Sequence, residues 1–138
     1  MVRYCMGNVR GEIRNREFAT QVRDFSGLRF GNITPTDIDG IIEYKDKLYI
    51  FIETKYENAE LPFGQKLCFE RLCDDLQKVK PTLLIVASHN SKGDIDVANT
   101  VVTSYRYEGK WFTLKSKKTT KSLIMEFINS IERKVNVA

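Results

Sequence analysis

Residues 35–57 read PTDIDGIIEYKDKLYIFIETKYE and contain two apolar segments separated by the polar residues 45–47. Both segments are rich in isoleucine, tyrosine and phenylalanine, which favour strands. The pattern predicts a β-hairpin with strands over 38–44 and 48–56. Side chains alternate between the two faces of a strand, so the length of the loop decides which residues share a face.

A three-residue loop brings the charged residues of this hairpin to one face. Such a loop sets Asp39 opposite Glu53 when both strands are counted back from the turn. Asp37 then lies opposite Lys55. A loop of two or four residues would scatter these charges over both faces, and three-residue hairpin loops are common. We therefore predict that the charged side chains converge at the open end of the hairpin.

The second strand is apolar on both faces before its charges begin, with leucine and isoleucine on one face and tyrosine and phenylalanine on the other. Carboxylates that converge at the end of a buried strand favour a hard cation such as Mg²⁺, which takes one or two of them. An ammonium group on the same face suits a phosphodiester-hydrolysing site, because it can orient water or neutralise a phosphate. The alternative is an exposed face with cross-strand ion pairs.

These residues resemble the PD-(D/E)XK nuclease superfamily, whose signature is an acid on one strand of a hairpin and Glu/Asp-x-Lys on the next. The matching residues here are Asp39 and the run Glu53, Thr54, Lys55. The resemblance implies a restriction-endonuclease-like α/β fold, with a core of order α-β-β-β-α-β and a mixed sheet. It also implies Mg²⁺ as the cofactor, for which Mn²⁺ can substitute, and DNA as the partner.

The resemblance assigns a role to each matched residue. It implies that Asp39 and Glu53 ligate the metal together with the main-chain carbonyl of Thr54, and that Lys55 positions the attacking water. The proline of the signature does not directly precede an acid in this chain, so Asp37 competes with Asp39 as a metal ligand. Asp39 is favoured because it faces Glu53 in the predicted register.

Ahead of the hairpin, apolar residues at helical spacing predict an amphipathic helix over 11–25. Many members of the family carry a glutamate on this helix that reaches the metal or its water. Glu17 is matched to it, with Glu12 second, and the alternative is a surface glutamate paired with an arginine. Residues 27–33 predict a short edge strand, which would complete a three-stranded antiparallel meander.

After the hairpin, a helix is predicted over 65–78, with one face on the sheet formed by Gln65, Phe69, Leu72 and Leu76. Several nuclease branches place a glutamine near the active lysine, so the resemblance implies that Gln65 contacts the lysine, the scissile phosphate or a metal water. The alternative is a glutamine at the helix start that hydrogen-bonds to a loop.

The rest of the chain predicts three strands and a helix. The apolar run 82–87 follows a helix that follows a strand, so we expect it to pair in parallel with the second hairpin strand. Residues 101–107 and 110–114 predict a C-terminal hairpin, and 119–135 predict an amphipathic helix. For the four aromatic residues of that hairpin, packing in the core is favoured over stacking on nucleic-acid bases.

Length and composition predict one globular domain over residues 1–138. The chain is 42% hydrophobic and 29% charged, and its net charge of +4 permits nucleic-acid binding without requiring it. It has no apolar leader and no run of eighteen apolar residues, which predicts a cytoplasmic protein without a membrane partner. Cys5, Cys68 and Cys73 are predicted to be reduced thiols, because they lack the spacing of a zinc site.

Together with these residues, the resemblance implies a magnesium-dependent deoxyribonuclease, an endonuclease that hydrolyses phosphodiester bonds of DNA. Small members of the superfamily often come from phages and often act as dimers, so the resemblance implies a phage-like origin and a homodimer. A second hypothesis is a catalytically silent nuclease fold that serves as a DNA-binding or regulatory subunit. A third is an interaction module whose charges form exposed ion pairs.

Overall fold

The computed structural model of the protein describes residues 15–137, and their side chains as far as residue 134. The chain divides into two compact units, Met1–Pro35 and Thr36–Ala138. The prediction of one domain over residues 1–138 stays a prediction. In the described part of the chain, no helix has the length and apolar character needed to cross a membrane.

In the described part of the first unit, a short α-helix, α1, covers Arg16–Ala19. The helix ends where the Thr20 hydroxyl donates a hydrogen bond of 2.9 Å to the Glu17 carbonyl oxygen. Threonine side chains that bond to nearby backbone in this way compete with helix propagation. The predicted helix over 11–25 is therefore wrong from residue 20 onward, and its residues 11–14 lie outside the described residues.

The predicted edge strand over 27–33 is not formed. Ser26–Leu28 is a turn of 3-10 helix, and the segment after it folds back on itself. Phe30 and Ile33 exchange backbone hydrogen bonds of 2.8 and 3.0 Å across Gly31, whose φ of +65° suits glycine. This turn uses the backbone groups that a strand would offer to the hairpin. The predicted three-stranded meander is therefore wrong.

The second unit is built on a five-stranded mixed sheet in the order β1-β2-β3-β4-β5. The strands are β1 Gly40–Tyr44, β2 Leu48–Tyr56, β3 Thr82–His89, β4 Val101–Tyr107 and β5 Lys110–Thr113. β2 and β3 are parallel, and the other neighbours are antiparallel. The predicted α/β class and mixed sheet are confirmed. The predicted parallel pairing of the run 82–87 with the second hairpin strand is confirmed as well.

The hairpin has the predicted register. Tyr44 pairs with Leu48, so the loop has three residues. Its first two residues, Lys45 and Asp46, have φ of 49° and 61°, a twist that matches the strands of a hairpin. β1 begins two residues later than predicted, which leaves Asp39 immediately before the strand.

Two helices cover the two faces of the sheet. Helix α2, Phe63–Gln77, joins β2 to β3 and packs on one face through Phe69 and Cys73. Helix α3, Thr120–Val137, packs on the other face through residues such as Leu123. The prediction that Leu72 faces the sheet is wrong, because its exposed fraction is 36%. Cys73, one full turn after Phe69, takes that place.

Candidate active site

The predicted site residues of the second unit gather at the carboxyl end of β2. Phe51 packs in the core on the α2 face of the sheet, so alternation places Glu53 and Lys55 on the same face. Asp39 stands at the start of β1, next to this end of β2 in the antiparallel register. α2 begins close by and contributes Gln65 from its first turn.

Asp39 is held against the Glu53-Thr54 segment of β2. Its carboxylate oxygen Oδ2 accepts hydrogen bonds from the Thr54 N–H at 2.8 Å and from the Thr54 hydroxyl at 3.0 Å. Its own N–H lies 3.4 Å from Glu53 Oε2 and donates toward it. The prediction that Asp39 faces Glu53 is therefore confirmed. Asp39 is exposed, so this side of the site is open to solvent.

Gln65 joins the lysine to the buried glutamate. The Lys55 ammonium donates to Gln65 Oε1 at 3.0 Å, and Gln65 Nε2 donates to Glu53 Oε1 at 3.1 Å. The third side of the triangle is the 3.3 Å ion pair between Lys55 Nζ and Glu53 Oε1. Gln65 thus contacts Lys55 as predicted, and it fixes the direction in which the ammonium group points.

The other predicted site residues are Asp37, Thr54 and Glu17. Asp37 is exposed and meets the cluster through its main-chain carbonyl, which Gln65 Nε2 approaches at 3.5 Å. Thr54 meets Asp39 through its N–H and hydroxyl, and the ligand role of its carbonyl stays a prediction. Glu17 lies on α1 in the first unit, and its role stays a prediction.

The electrostatics of the site centre on Glu53, whose exposed fraction is 4%. Burial raises the pKa of the Glu53 carboxyl above its ordinary value, and the neighbouring Asp39 charge raises this pKa further. The hydrogen bond from Lys55 acts in the opposite direction without reversing the shift. Burial and the Asp39 charge thus both disfavour the ionised form of Glu53.

This donor set fits Mg²⁺. Asp39 and Glu53 supply two hard oxygen ligands, and Mg²⁺ binds through one or two carboxylates while keeping several waters. The described residues contain no group of three or more His, Cys, Asp or Glu side chains placed to hold a metal. A cation at the pair would favour the ionised form of Glu53, whose pKa burial and then the Asp39 charge raise. The residues that would hold it are Asp39 and Glu53.

Mg²⁺ is accordingly expected to stabilise the protein against thermal unfolding. At a concentration 100 times its Kd, a ligand that binds only the folded state adds about 2.7 kcal/mol to the free energy of unfolding. A melting experiment with and without MgCl₂ measures the shift, which Asp39→Asn should remove. Asp46→Asn, at the loop end of the hairpin, is the matched control and should keep it. An equal shift in both variants would place the ion elsewhere.

A groove of about 480 Å³ opens beside Lys55 on the α2 face of the sheet. The sequence did not predict this groove, because one wall and the floor depend on the pairing of strands that are distant in the chain. One wall is Trp111 of β5, and the floor includes Thr103 and Ser104 of β4. The loop after β2 and Lys66 of α2 form the rim. The alternation of β4 alone would have assigned Thr103 and Ser104 to opposite faces.

Comparison with family models, with curated proteins and with solved structures finds no match to this chain.

Proposed function

We propose that this protein is a metal-dependent nuclease that hydrolyses phosphodiester bonds of DNA with a site of the PD-(D/E)XK type. The observation that carries the proposal is the set of contacts around Glu53, which bonds to Lys55 and Gln65 through one carboxylate oxygen and to the Asp39 N–H through the other. It combines two carboxylates for a hard cation with an ammonium group held beside them. This combination suits phosphodiester hydrolysis, because it can stabilise negative charge on the phosphate and orient the nucleophile.

A restriction-endonuclease-like core is part of this proposal. The hairpin β1-β2, the helix α2 and the parallel strand β3 follow one another in the order β-β-α-β, which matches the last four elements of the expected core. The proposed site residues lie on these elements or next to them. Asp39 precedes the first strand, Glu53 and Lys55 end the second, and Gln65 begins the helix.

In the proposed reaction, Asp39 and Glu53 hold the metal. When bound, Mg²⁺ stabilises the negative charge that develops on the phosphate and lowers the pKa of a coordinated water. The chain's own contribution is made mainly by Lys55, whose side chain is 21% exposed and therefore reaches both the cluster and solvent. Its ammonium group donates a hydrogen bond that orients the attacking water and offsets charge on the scissile phosphate.

Gln65 has a positioning role in this scheme. Its amide oxygen accepts from Lys55 while its amide nitrogen donates to Glu53, so one side chain holds both partners. A flexible lysine side chain loses much rotamer freedom when it is held in one geometry. Because the Gln65 amide oxygen already holds Lys55 before the reaction, little of this freedom is left to lose in the reaction itself.

The proposal is tested by incubating the protein with labelled DNA duplexes, single strands, flaps and junctions in the presence of Mg²⁺, Mn²⁺ or EDTA. Metal-dependent cutting that is lost in Asp39→Asn supports the nuclease. DNA binding without cutting by the native protein would instead support the catalytically silent subunit. If the protein neither cuts nor binds DNA, the remaining hypothesis is the interaction module.

Gln65→Ala is expected to lower cleavage by about 10- to 100-fold, the effect typical of residues that orient metal or catalytic groups. DNA binding should be nearly unchanged, because Lys55 keeps its charge. Single-turnover cleavage rates and binding isotherms measure the two quantities. Gln77→Ala, at the other end of α2, removes a hydrogen bond to the Thr82 N–H and serves as the control. If Gln65→Ala cuts DNA at the same rate as Gln77→Ala, Gln65 has no positioning role in the site.

A further inference from the structure

The groove beside Lys55 runs across the sheet from β2 to β5. Lys55 lines one end and Trp111 lines the other, with Ser88 of β3 and Ser104 of β4 between them. Three strand spacings separate β2 from β5, about 14 Å. Its volume of about 480 Å³ lies within the range of small-ligand sites. The groove is thus continuous with the proposed catalytic lysine and long enough for part of a nucleotide chain.

A β-bulge shapes the floor of the groove. Val86 pairs with Ser104 and the next residue, Ala87, pairs with Val102, so Thr103 is an extra residue in β4. Both Thr103 and Ser104 consequently line the groove. The Thr103 hydroxyl donates to the Val86 carbonyl at 3.0 Å, which fixes the bulge. Bulges of this kind occur next to active sites, where they redirect side chains.

Trp111 is held in place as a fixed wall. Its indole N–H donates to the Glu70 carboxylate, and the Arg106 guanidinium lies 5.7 Å from the ring centroid. Asp74 holds Arg106 in turn, through two hydrogen bonds of 2.9 and 2.7 Å. The Lys66 ammonium lies 5.5 Å from the ring centroid and also lines the groove, which Arg106 does not. An aromatic ring fixed in this way loses little entropy on binding a ligand.

The charges that line the groove cancel. Lys55 and Lys66 are matched by Glu57 and Glu60 of the loop after β2, and the remaining lining residues are neutral. A track for the phosphate backbone would need an excess of positive charge. A flat, neutral group with polar edges suits this lining better, because it can stack on the indole and hydrogen-bond to hydroxyl groups.

We propose that the groove binds an unpaired nucleobase of the DNA strand close to the scissile phosphate, and that this base stacks on Trp111. The inference rests on the proposed nuclease function and narrows its substrate to DNA with an unpaired nucleotide at the cleavage site. A base inside a duplex has both faces covered by its neighbours and cannot stack on the indole. An unpaired base offers a free face and free hydrogen-bonding edges to Ser104 and the other polar lining residues.

Trp111 provides a direct test, because it is the only tryptophan among the 138 residues. The metal-free protein, kept in EDTA so that no DNA is cut, is titrated with a single-stranded oligonucleotide and with a blunt duplex of the same sequence. Saturable quenching of Trp111 fluorescence is expected with the single strand and much less with the duplex. Equal quenching by both, or no quenching by the single strand, would overturn the inference.

Variants identify the groove as the binding site. Ser104→Leu fills the floor of the groove and should remove the quenching. Trp111→Ala should weaken binding of a labelled single strand by about tenfold, as loss of one stacked base does. Phe112→Ala is the matched control, because its side chain stacks on Tyr105 and lines a separate cavity with residues of α3. A Ser104→Leu protein that is still quenched, or equal losses at positions 111 and 112, would contradict the assignment.

Failure of the inference and failure of the proposed function give different results. If DNA is cut but Trp111 quenching is not selective for the single strand, the nuclease proposal stands and the inferred base site is wrong. Selective quenching without cleavage under any metal condition would keep the base site on a binding protein. Quenching by an RNA strand but not by the DNA strand would overturn the assignment to DNA.

Discussion

Glu53→Gln is expected to make the metal-free protein more stable at neutral pH while lowering DNA cleavage by about 10²- to 10³-fold, the loss typical when one preorganised electrostatic group is removed. The two effects have opposite signs because they have different causes. Glu53 is buried beside Asp39, so its negative charge is costly in the folded state. The same charge is what the proposed function requires to hold a cation.

The stability effect depends on pH in a defined direction. The pKa of Glu53 is raised above its ordinary value of 4.5, so the unfolded chain loses this proton at lower pH than the folded protein does. Stability contributed by this group therefore falls as the pH rises from about 4.5 through the folded-state pKa. Glutamine has no proton to lose, so the advantage of the variant should appear across this window and stay constant above it.

Thermal melts in EDTA across this pH range measure the stability difference, and single-turnover cleavage measures the loss of activity. Glu108→Gln is the matched control, because this exposed glutamate in the β4-β5 turn changes the net charge equally without a buried site. It should change neither property. A Glu53→Gln protein that is less stable than the native protein at neutral pH would show that its hydrogen bonds outweigh the cost of burying the charge.

Lys55→Ala is expected to lower cleavage by about 10²- to 10³-fold, the loss typical when a group that stabilises charge in the transition state is removed. The variant also removes the cation that lies 3.3 Å from Glu53, which leaves the buried carboxylate less compensated. The metal-free protein should therefore lose stability at neutral pH. This is the opposite of the Glu53→Gln effect, although both variants lose cleavage.

Lys55→Arg separates charge from geometry. Arginine keeps the positive charge, but its planar guanidinium does not reproduce the contacts of an ammonium group. Stability should be partly restored and cleavage should not. Lys78→Ala, in an exposed pair with Asp75 at the end of α2, is the matched control for both measurements. Full activity of Lys55→Ala would rule out the proposed role of the lysine.

The hairpin and its cluster could be predicted because their determinants are local. The three-residue loop sets the register, and alternation along β2 then places Glu53 and Lys55 on one face without knowledge of the rest of the fold. Helical spacing placed Gln65 at the start of the face on the sheet, and the resemblance to the nuclease family implied its contact with Lys55. Each step needed only the sequence between residues 37 and 65.

The first unit and the groove could not be predicted for different physical reasons. In the first unit, the apolar spacing was helical, but the hydroxyl of Thr20 bonds to the backbone and the helix ends there. The groove depends on the bulge at Thr103, which is defined only by the pairing of β4 with β3. Trp111 forms a wall of it because Glu70 and Arg106 hold the indole from other elements. No local pattern contains that information.

The parallel pairing of β2 with β3 also sets the order in which the site is completed during synthesis. Glu53 pairs with Val86, which leaves the ribosome only after all of α2. Until β3 has been made, the edge of β2 that pairs with it lacks its backbone partners, Val86 among them. The strand that carries Glu53 and Lys55 is therefore completed only by a segment that follows α2 in the chain.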